Sequence, residues 1–310
     1  MHWTGVMPAM TTAFHPDLSI DHEFMQRHAD WMLRNGCGGL VLLGSLGEGA
    51  TLEREEKIAI LRNITGSVHG RAPVVAAVSS LSTAAAVRLA KEAEQAGCDA
   101  LMVLPPYVYS SDWREMRAHV SAILAATPLS CMLYNNPIAY GTDFLPEQIA
   151  ELAGSHENLH AVKESSADLR RIAAIRSLLG NRLAILVGVD DAVVEGVGAG
   201  AVGWIAGLVN AFPAESVTLF QLASSGNSDE AFELYRWFLP LLRMDTVPKF
   251  VQLIKWVQEE VNVGTARVRP PRLQLEGNEL LDAQKKLQQA LAARPRVATI
   301  NFANSVGASA

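Results

Sequence analysis

Short apolar runs alternate with longer amphipathic segments along most of the chain. The apolar runs fall at residues 6–10, 39–43, 74–77, 100–104, 130–135, 160–164, 183–187 and 202–206. Most of these runs are continuously apolar, which is typical of strands buried on both faces. The segments between them carry apolar residues at helical spacing. This alternation of strand and helix predicts a parallel sheet covered by helices.

Eight strand–helix units favour a closed α/β architecture, a (β/α)8 TIM barrel, over an open doubly wound sheet. No Gly-x-Gly-x-x-Gly turn follows the first strand, as a dinucleotide-binding sheet would require. Helix starts are predicted at Asp21, Thr51, Ser82, Asp112 and Pro146. The barrel is expected to cover residues 1–225. A C-terminal helical extension over 226–294 is expected to pack on the barrel or at a subunit interface, and a tail follows over 295–310.

Composition narrows the class of partner. The chain has 310 residues, of which 49% are hydrophobic and 19% charged, and its formal net charge is −6. Basic residues are scattered, so neither nucleic acid nor an anionic membrane surface is expected as a partner, and a small molecule is. No apolar run is long enough to cross a bilayer and no signal peptide is evident, so a cytoplasmic location is expected.

Cysteine and histidine usage gives no sign of a metal centre. Cys37, Cys98 and Cys131 are widely spaced in apolar surroundings, so free buried thiols are expected rather than disulfides or zinc ligands. His156 and His160 are four residues apart, but Asn158 and Leu159 between them indicate a loop that runs into a strand, so no metal is expected.

Lys163 is the most informative polar residue, because it interrupts the sixth apolar run near its C-terminal end. Active sites of such barrels lie at that end of the strands. A lysine pointing into the barrel has a lowered pKa, and only the free amine attacks a carbonyl to form a carbinolamine and then an imine. A solvated lysine leaning outward is the alternative, and position alone weights the two equally. Glu164 is expected to face the opposite side.

Two further features suit the same chemistry. Tyr134 ends the neighbouring strand, where its phenol can move protons, although a core tyrosine with a satisfied hydroxyl is the alternative. The glycine-rich turn at 44–49 offers backbone N–H groups and the Ser45 hydroxyl to a carboxylate. A tight strand-to-helix connection is the alternative for the turn.

Five motifs in one order carry a family resemblance. They are Gly-Ser-Leu-Gly-Glu at 44–48, Pro-Pro-Tyr at 105–107, Tyr-Asn-Asn-Pro at 134–137, Lys-Glu at 163–164 and Gly-Trp-Ile-Ala-Gly at 203–207. Together they resemble the dihydrodipicolinate synthase / N-acetylneuraminate lyase family of class I aldolases, over residues 5–210. The resemblance implies a lysine Schiff-base lyase that acts on a 2-oxo acid or related imino acid and uses no external cofactor.

The resemblance also implies roles for individual residues. Lys163 matches the Schiff-base lysine, and Tyr134 the general acid and base that contacts the substrate carboxylate. Ser45 matches the hydroxyl that binds this carboxylate and joins a proton relay. Tyr107 matches the tyrosine that completes the relay, usually from an adjacent subunit. Members are typically homotetramers, as dimers of dimers. The remaining expected substrate contacts are Gly44, Leu46, Ala139, Gly188, Asp190 and Ile205.

Three departures from the family pattern bear on the substrate. Ala139 stands where the synthase branch places an arginine that holds the second substrate's carboxylate, and losing that clamp is not conservative. Leu46 replaces a second hydroxyl residue of the turn and adds apolar bulk. Asp190 and Asp191 fall where the lyase branch binds sugar hydroxyls, and capping the seventh helix is an equal alternative.

A closer resemblance is to the branch of 1-pyrroline-4-hydroxy-2-carboxylate deaminases, carried by residues 2–3, 134–137, 163–166, 188–191 and 207–213. It implies ring opening at Lys163 and release of 2-oxoglutarate semialdehyde and ammonia. The alternatives are dihydrodipicolinate synthase, a pyruvate-releasing 2-oxo acid aldolase and a sugar-acid dehydratase. A non-catalytic 2-oxo acid sensor would not need the amine and its proton relay, and Trp204 argues against a phosphate-binding barrel.

Overall fold

The computed structural model describes residues 1–106 and 112–298, and all eight predicted strands form in it. Every strand lies within two residues of its prediction at both ends. The strands are β1 (Gly5–Pro8), β2 (Leu40–Leu42), β3 (Val74–Val78), β4 (Ala100–Val103), β5 (Ser130–Asn135), β6 (Leu159–Glu164), β7 (Ala184–Val187) and β8 (Gly203–Ala206).

Helices occupy the segments between the strands and continue beyond β8. They are α1 (His22–Arg34), α2 (Arg54–Val68), α3 (Thr83–Gln95), α4 (Trp113–Leu124), α5 (Pro137–Tyr140), α6 (Pro146–Ser155), α7 (Arg170–Leu179), α8 (Val193–Gly198), α9 (Pro213–Ser225), α10 (Ser228–Leu242), α11 (Phe250–Glu260) and α12 (Gly277–Ala292).

The helix starts follow the capping residues of the sequence with one exception. Asp21, Ser82 and Asp112 each accept a hydrogen bond from a backbone N–H of the first turn, as predicted. The predicted start at Thr51 is wrong, because Thr51 ends a short 3₁₀ turn. The cap of α2 is Glu53, whose backbone N–H donates to the Glu56 carboxylate at 2.8 Å. This contact satisfies the backbone donor of Glu53 at the start of α2, whereas the Thr51 hydroxyl donates to the Glu48 carbonyl inside the 3₁₀ turn.

The strands form one parallel sheet in the order β1-β8-β7-β6-β5-β4-β3-β2. The backbone N–H of Met10 donates to the Val41 carbonyl at 2.9 Å, and Gly38 donates to Val6 at 2.8 Å. These bonds join the two ends of the sheet, β1 and β2. The prediction of a (β/α)8 barrel is confirmed.

The C-terminal helices are joined to the barrel through a buried ion pair. Lys255 of α11 donates to the Glu48 carboxylate and to the Thr12 carbonyl, both at 2.8 Å. The side chains of Lys255 and Glu48 are only 2% and 0% exposed. The other Glu48 oxygen accepts from the backbone N–H of Arg269 at 2.9 Å. The extension therefore fixes the turn that follows β2.

Helix α9 ends at Ser225 and α10 begins at Ser228, while the division into domains at residue 225 stays a prediction. Of the expected tail, residues 299–310 lie outside the described part of the chain. Cys37, Cys98 and Cys131 are free and buried, as predicted. Within residues 1–106 and 112–298, no helix has the length and apolar character needed to span a bilayer.

Replacing Lys255 with methionine is expected to lower the free energy of unfolding by about 3–5 kcal/mol, because the buried Glu48 carboxylate loses its hydrogen-bonded cation and keeps only the Arg272 guanidinium at 3.8 Å. Urea-induced unfolding measures the change. Lys286 pairs with Asp282 on the exposed surface of α12, so Lys286→Met is the matched control and should change stability by less than about 0.5 kcal/mol. Equal effects of the two substitutions would contradict a structural role for the buried pair.

Candidate active site

Lys163 lies on β6 with its side chain inside the barrel. It is paired in register with Tyr134 of β5 and with Leu186 of β7. Paired residues of neighbouring parallel strands share a face of the sheet, so these side chains point the same way. The Lys163 ammonium nitrogen lies 4.1 Å from the centroid of the Tyr134 ring. Of the two alternatives for Lys163, the structure shows the inward one, and the residue is only 6% exposed.

The environment of Lys163 favours the neutral amine. Burial lowers the pKa of its side chain from the usual 10.5 to about 8, and the negative charges of Asp245 and Asp190 oppose part of that fall. The ammonium form still predominates at pH 7, but the unprotonated fraction is far larger than for a lysine with the usual pKa.

Gly188, at the end of β7, makes room for the lysine stem. A Cβ at this position would lie 2.5 Å from Cε of Lys163 and 1.9 Å from Oγ of Ser165. Neither distance is compatible with the observed side chains, so position 188 requires a glycine. The expected substrate contact at Gly188 is thus also a packing contact to the lysine.

Tyr134 is buried, and its hydroxyl accepts a hydrogen bond from Nδ2 of Asn136 at 2.9 Å. Burial raises the pKa of the Tyr134 phenol to about 12, and hydrogen bonds with Asn136, Ser165 and Tyr140 oppose part of the rise. The phenol is therefore protonated at neutral pH. It lies against the Lys163 amine and can donate a proton beside it.

Ser45, in the turn after β2, is connected to the loop after β5. Its hydroxyl is hydrogen-bonded to the hydroxyl of Tyr140, the last residue of α5. The Tyr140 ring meets the Tyr134 ring edge to face, with the centroids 5.8 Å apart and the planes at 87°. Ser45, Tyr140 and Tyr134 thus form one cluster of hydroxyl groups near Lys163.

The turn over residues 44–49 is tightly closed. The backbone N–H of Glu48 donates to Ser45 O and that of Gly49 to Gly44 O, both at 3.1 Å, so these two donors are used inside the turn. A Cβ at Gly49 would lie 2.0 Å from the Leu43 carbonyl oxygen, which excludes any side chain there. The turn is a rigid support for the Ser45 hydroxyl.

Asn135 fastens the loop after β5 from the outer face of the barrel. Its amide oxygen accepts from Phe144 N at 3.0 Å, and its Nδ2 donates to the Glu164 carboxylate at 3.1 Å. Glu164 also accepts from Ser166 N at 2.7 Å and so faces away from Lys163, as strand alternation predicted. Burial raises the pKa of Glu164. The outer face of these strand ends therefore holds the loops in place.

Asp190 does not cap the helix that follows β7, and a substrate contact at this residue stays a prediction. Its carboxylate accepts hydrogen bonds from Trp204 Nε1 at 2.9 Å, Gly207 N at 3.1 Å and Leu208 N at 2.8 Å. No side-chain cap bond is made at the N-terminus of α8. Burial raises the pKa of Asp190 to about 6, and these hydrogen bonds oppose part of the rise. Asp190 holds the backbone that follows β8.

The other predicted residues are distributed around this cluster. Leu46 is buried beside Ser45 in the turn, and Ile205 is buried on β8 in register with Met7. Ala139 is exposed in α5 and presents only a methyl group. Gly44 opens the turn, where a Cβ would meet the methyl carbon of Met102 at an ordinary 3.6 Å. Tyr107 lies outside the described residues.

Two residues near Lys163 were not predicted from the sequence. Tyr140 sits in a loop six residues after Tyr134, and an inspection of every polar residue after each strand would have found it. Asp245 comes from a 3₁₀ turn after α10, where no strand-end signal exists. Burial and the Asp190 charge raise the pKa of Asp245 well above its usual range, while Lys163 opposes the rise.

Comparisons with known proteins agree with this geometry. A model of the dihydrodipicolinate synthetase family matches residues 2–290. The chain is 30% identical over 292 residues to the 4-hydroxy-tetrahydrodipicolinate synthase of Saccharophagus degradans, covering 92% of this chain and 98% of that protein.

The chain belongs to the dihydrodipicolinate synthetase family. The expectation of a class I Schiff-base lyase is thereby confirmed. The synthase of Methylacidiphilum fumariolicum SolV gives a TM-score of 0.90 at 28% identity, over 94% of this chain and 97% of that one. YagE, a prophage protein of the dihydrodipicolinic acid synthase family from E. coli K12 solved in complex with pyruvate, gives 0.88 at 26% identity, over 94% and 99%. These names support the synthase alternative and give no support to the deaminase branch.

Gly188→Ala is expected to slow Schiff-base formation in this family member about 100-fold, because the new methyl group displaces the lysine stem from its working position. The rate at which pyruvate and borohydride increase the mass of the protein measures the effect.

The matched control is Gly198→Ala, where a Cβ meets nothing within 4 Å. It should leave the rate unchanged. An unaltered rate in Gly188→Ala would show that the lysine does not need this space.

Proposed function

We propose that Lys163 forms a Schiff base with C2 of a small 2-oxo acid, and that pyruvate is such a substrate. The observation that carries the proposal is the buried Lys163 nitrogen, 4.1 Å from the Tyr134 ring centroid, with its pKa lowered to about 8. A free amine beside a protonated phenol is the pair of groups that imine formation requires. Pyruvate follows from the similarity to YagE, which was solved in complex with it.

The reaction begins when the free amine of Lys163 attacks C2, forming a carbinolamine. A proton moves from the nitrogen to the former carbonyl oxygen, and Tyr134 donates a second proton to the departing hydroxyl, which leaves as water. The protonated imine then draws electrons from C3, whose proton returns to the Tyr134 phenolate. The protonated imine that Lys163 forms is the electron sink, so the proposed chemistry needs no external cofactor.

The substrate carboxylate is proposed to bind at the turn over residues 44–49. The Ser45 hydroxyl lies in the same hydroxyl cluster as Tyr134, which suits a carboxylate attached directly to the reacting C2. Buried Leu46 makes the adjoining surface apolar. Such a site fits a compact acid better than a polyhydroxylated one.

For the complete reaction, the first candidate is 4-hydroxy-tetrahydrodipicolinate synthesis, in which the enamine formed from pyruvate condenses with aspartate semialdehyde. Its support is the printed names of the relatives. The second candidate is deamination of 1-pyrroline-4-hydroxy-2-carboxylate. One observation favours it: Ala139 is exposed and presents a methyl group where the synthase branch is expected to place a guanidinium.

A homotetramer, built as a dimer of dimers, stays a prediction. It is supported by the family resemblance and by large apolar side chains exposed on the extension, where Leu273 is 76% and Leu281 62% exposed.

Pyruvate followed by borohydride is expected to attach one reduced pyruvate per chain at Lys163, mapped by mass spectrometry of peptides. Lys163→Met keeps the apolar stem and should abolish the adduct. Lys91→Met, at an exposed position, is the matched control and should leave it intact. A wild-type protein without an adduct at Lys163 would refute the proposed chemistry.

The same preparation separates the two candidates for the complete reaction. Consumption of aspartate semialdehyde together with pyruvate supports the synthase. Release of ammonia from the cyclic imine supports the deaminase, and Lys163→Met should lose whichever activity is found.

The rate of Schiff-base formation should rise with pH, reach half its maximum near pH 8 and level off about one pH unit higher, because the reactive form is the free amine, whose pKa is lowered to about 8. Tyr134, with its pKa raised to about 12, stays protonated over this range. Initial trapping rates between pH 6 and pH 10 measure the profile. A rate still rising steadily at the upper limit would indicate a lysine with the ordinary pKa of 10.5.

A further inference from the structure

Tyr140 brings an additional phenol to the site from within the same chain. Its hydroxyl is hydrogen-bonded to that of Ser45, and its ring packs edge to face on Tyr134. Tyr140 and Tyr134 are also hydrogen-bonded through their side chains. The Tyr140 hydroxyl therefore lies between the turn proposed to bind the substrate carboxylate and the phenol proposed to move protons.

The local fold fixes this position. Asn136 caps α5, with its amide oxygen accepting from Ala139 N at 3.0 Å while its Nδ2 donates to the Tyr134 hydroxyl at 2.9 Å. One side chain thus sets the geometry of both the helix carrying Tyr140 and the Tyr134 phenol. Gly141, at φ 66°, ends the helix directly after Tyr140, in a left-handed conformation that favours glycine.

The residues that follow Tyr140 are also fixed by hydrogen bonds. Phe144 N donates to Asn135 at 3.0 Å, and the Thr142 hydroxyl donates to the Pro106 carbonyl at 2.9 Å. Hydrogen bonds therefore fix the chain on both sides of Tyr140, at Asn136 before it and at Thr142 and Phe144 after it.

We propose that Tyr140 is a positioning residue of the proton path: its hydroxyl connects the Ser45 hydroxyl with the Tyr134 phenol inside one chain. This inference rests on the proposed function, because it concerns the protons that Schiff-base formation moves. The family resemblance assigns the closing position of such a relay to Tyr107, usually from an adjacent subunit. Tyr140 makes the connection to Ser45 without a second subunit.

The chemical need arises when Tyr134 has given its proton to the departing hydroxyl of the carbinolamine. Tyr134 is then a buried phenolate until it takes the proton from C3. A hydroxyl that donates a hydrogen bond to this phenolate lowers its energy, and the donor is strengthened when it accepts a hydrogen bond itself. In this state Tyr140 donates its proton to Tyr134 and Ser45 donates its single proton to Tyr140, so the substrate carboxylate is held by backbone N–H groups of the turn over residues 44–49. No proton is gained or lost by the cluster.

Tyr140→Phe removes the hydroxyl and keeps the ring that packs on Tyr134. The exchange of the C3 hydrogens of pyruvate for deuterium is expected to slow about 100-fold, because the phenolate loses its hydroxyl donor and keeps only the neutral amide of Asn136. The KM for pyruvate should stay unchanged, and prolonged borohydride trapping should still yield the adduct at Lys163. Combining Tyr140→Phe with Ser45→Ala should slow exchange no further than the slower single variant, since both act through one connection.

Tyr235→Phe is the matched control, because Tyr235 is a buried tyrosine whose hydroxyl donates to the Asp191 carbonyl on the helical side of the barrel. It should exchange at the wild-type rate. Wild-type exchange in Tyr140→Phe would overturn the proposal, as would a fall accompanied by an equal rise in KM or by additive loss in the double variant. Failure of the wild-type protein to form the Lys163 adduct would instead refute the proposed function.

Discussion

An amine held away from water inside an apolar barrel is the constraint around which this site is arranged. Burial lowers the pKa of Lys163 toward neutrality, whereas the charges of Asp245 and Asp190 keep it from falling further. The free amine and the ammonium form of Lys163 are therefore closer in free energy than those of an exposed lysine. The free amine can react, and the nearby carboxylates stabilise the ammonium form inside the barrel. Gly188 supplies the space that this buried stem occupies.

The loops that surround the lysine are fastened from outside the reaction chamber. Glu48 and Lys255 connect the turn after β2 to a helix about two hundred residues further along the chain, at 2.8 Å. Asn135 and Glu164 hold the loop after β5 from the outer face of the strands. Successive side chains of a strand point to opposite faces of the sheet. Asn135 and Glu164 therefore face the helices, because Tyr134 and Lys163 next to them face the inside of the barrel.

The fold and the centre of the site were predictable because they depend on local pattern. The eight apolar runs gave strand positions directly, and Lys163 and Tyr134 stood out as polar residues at the ends of two of them. The rest depends on contacts that no local pattern encodes. Asp245 reaches the site from a turn in the C-terminal extension, and the role of Asp190 depends on three donors that follow or belong to β8. Thr51 failed as a helix start because Glu53 and Glu56 form a better cap two residues later.

The loop after β5 has two fixed ends and a free middle. Asn136 and Tyr140 are tied to the hydroxyl cluster, while Ile138 between them is 71% exposed and Ala139 is exposed as well. Substitutions at these two positions can alter the exposed surface of the loop without moving the groups proposed to make the imine. In the proposed reaction, imine formation and the choice of second reactant thus depend on different residues, and substitutions at a few exposed side chains can change the second reactant alone.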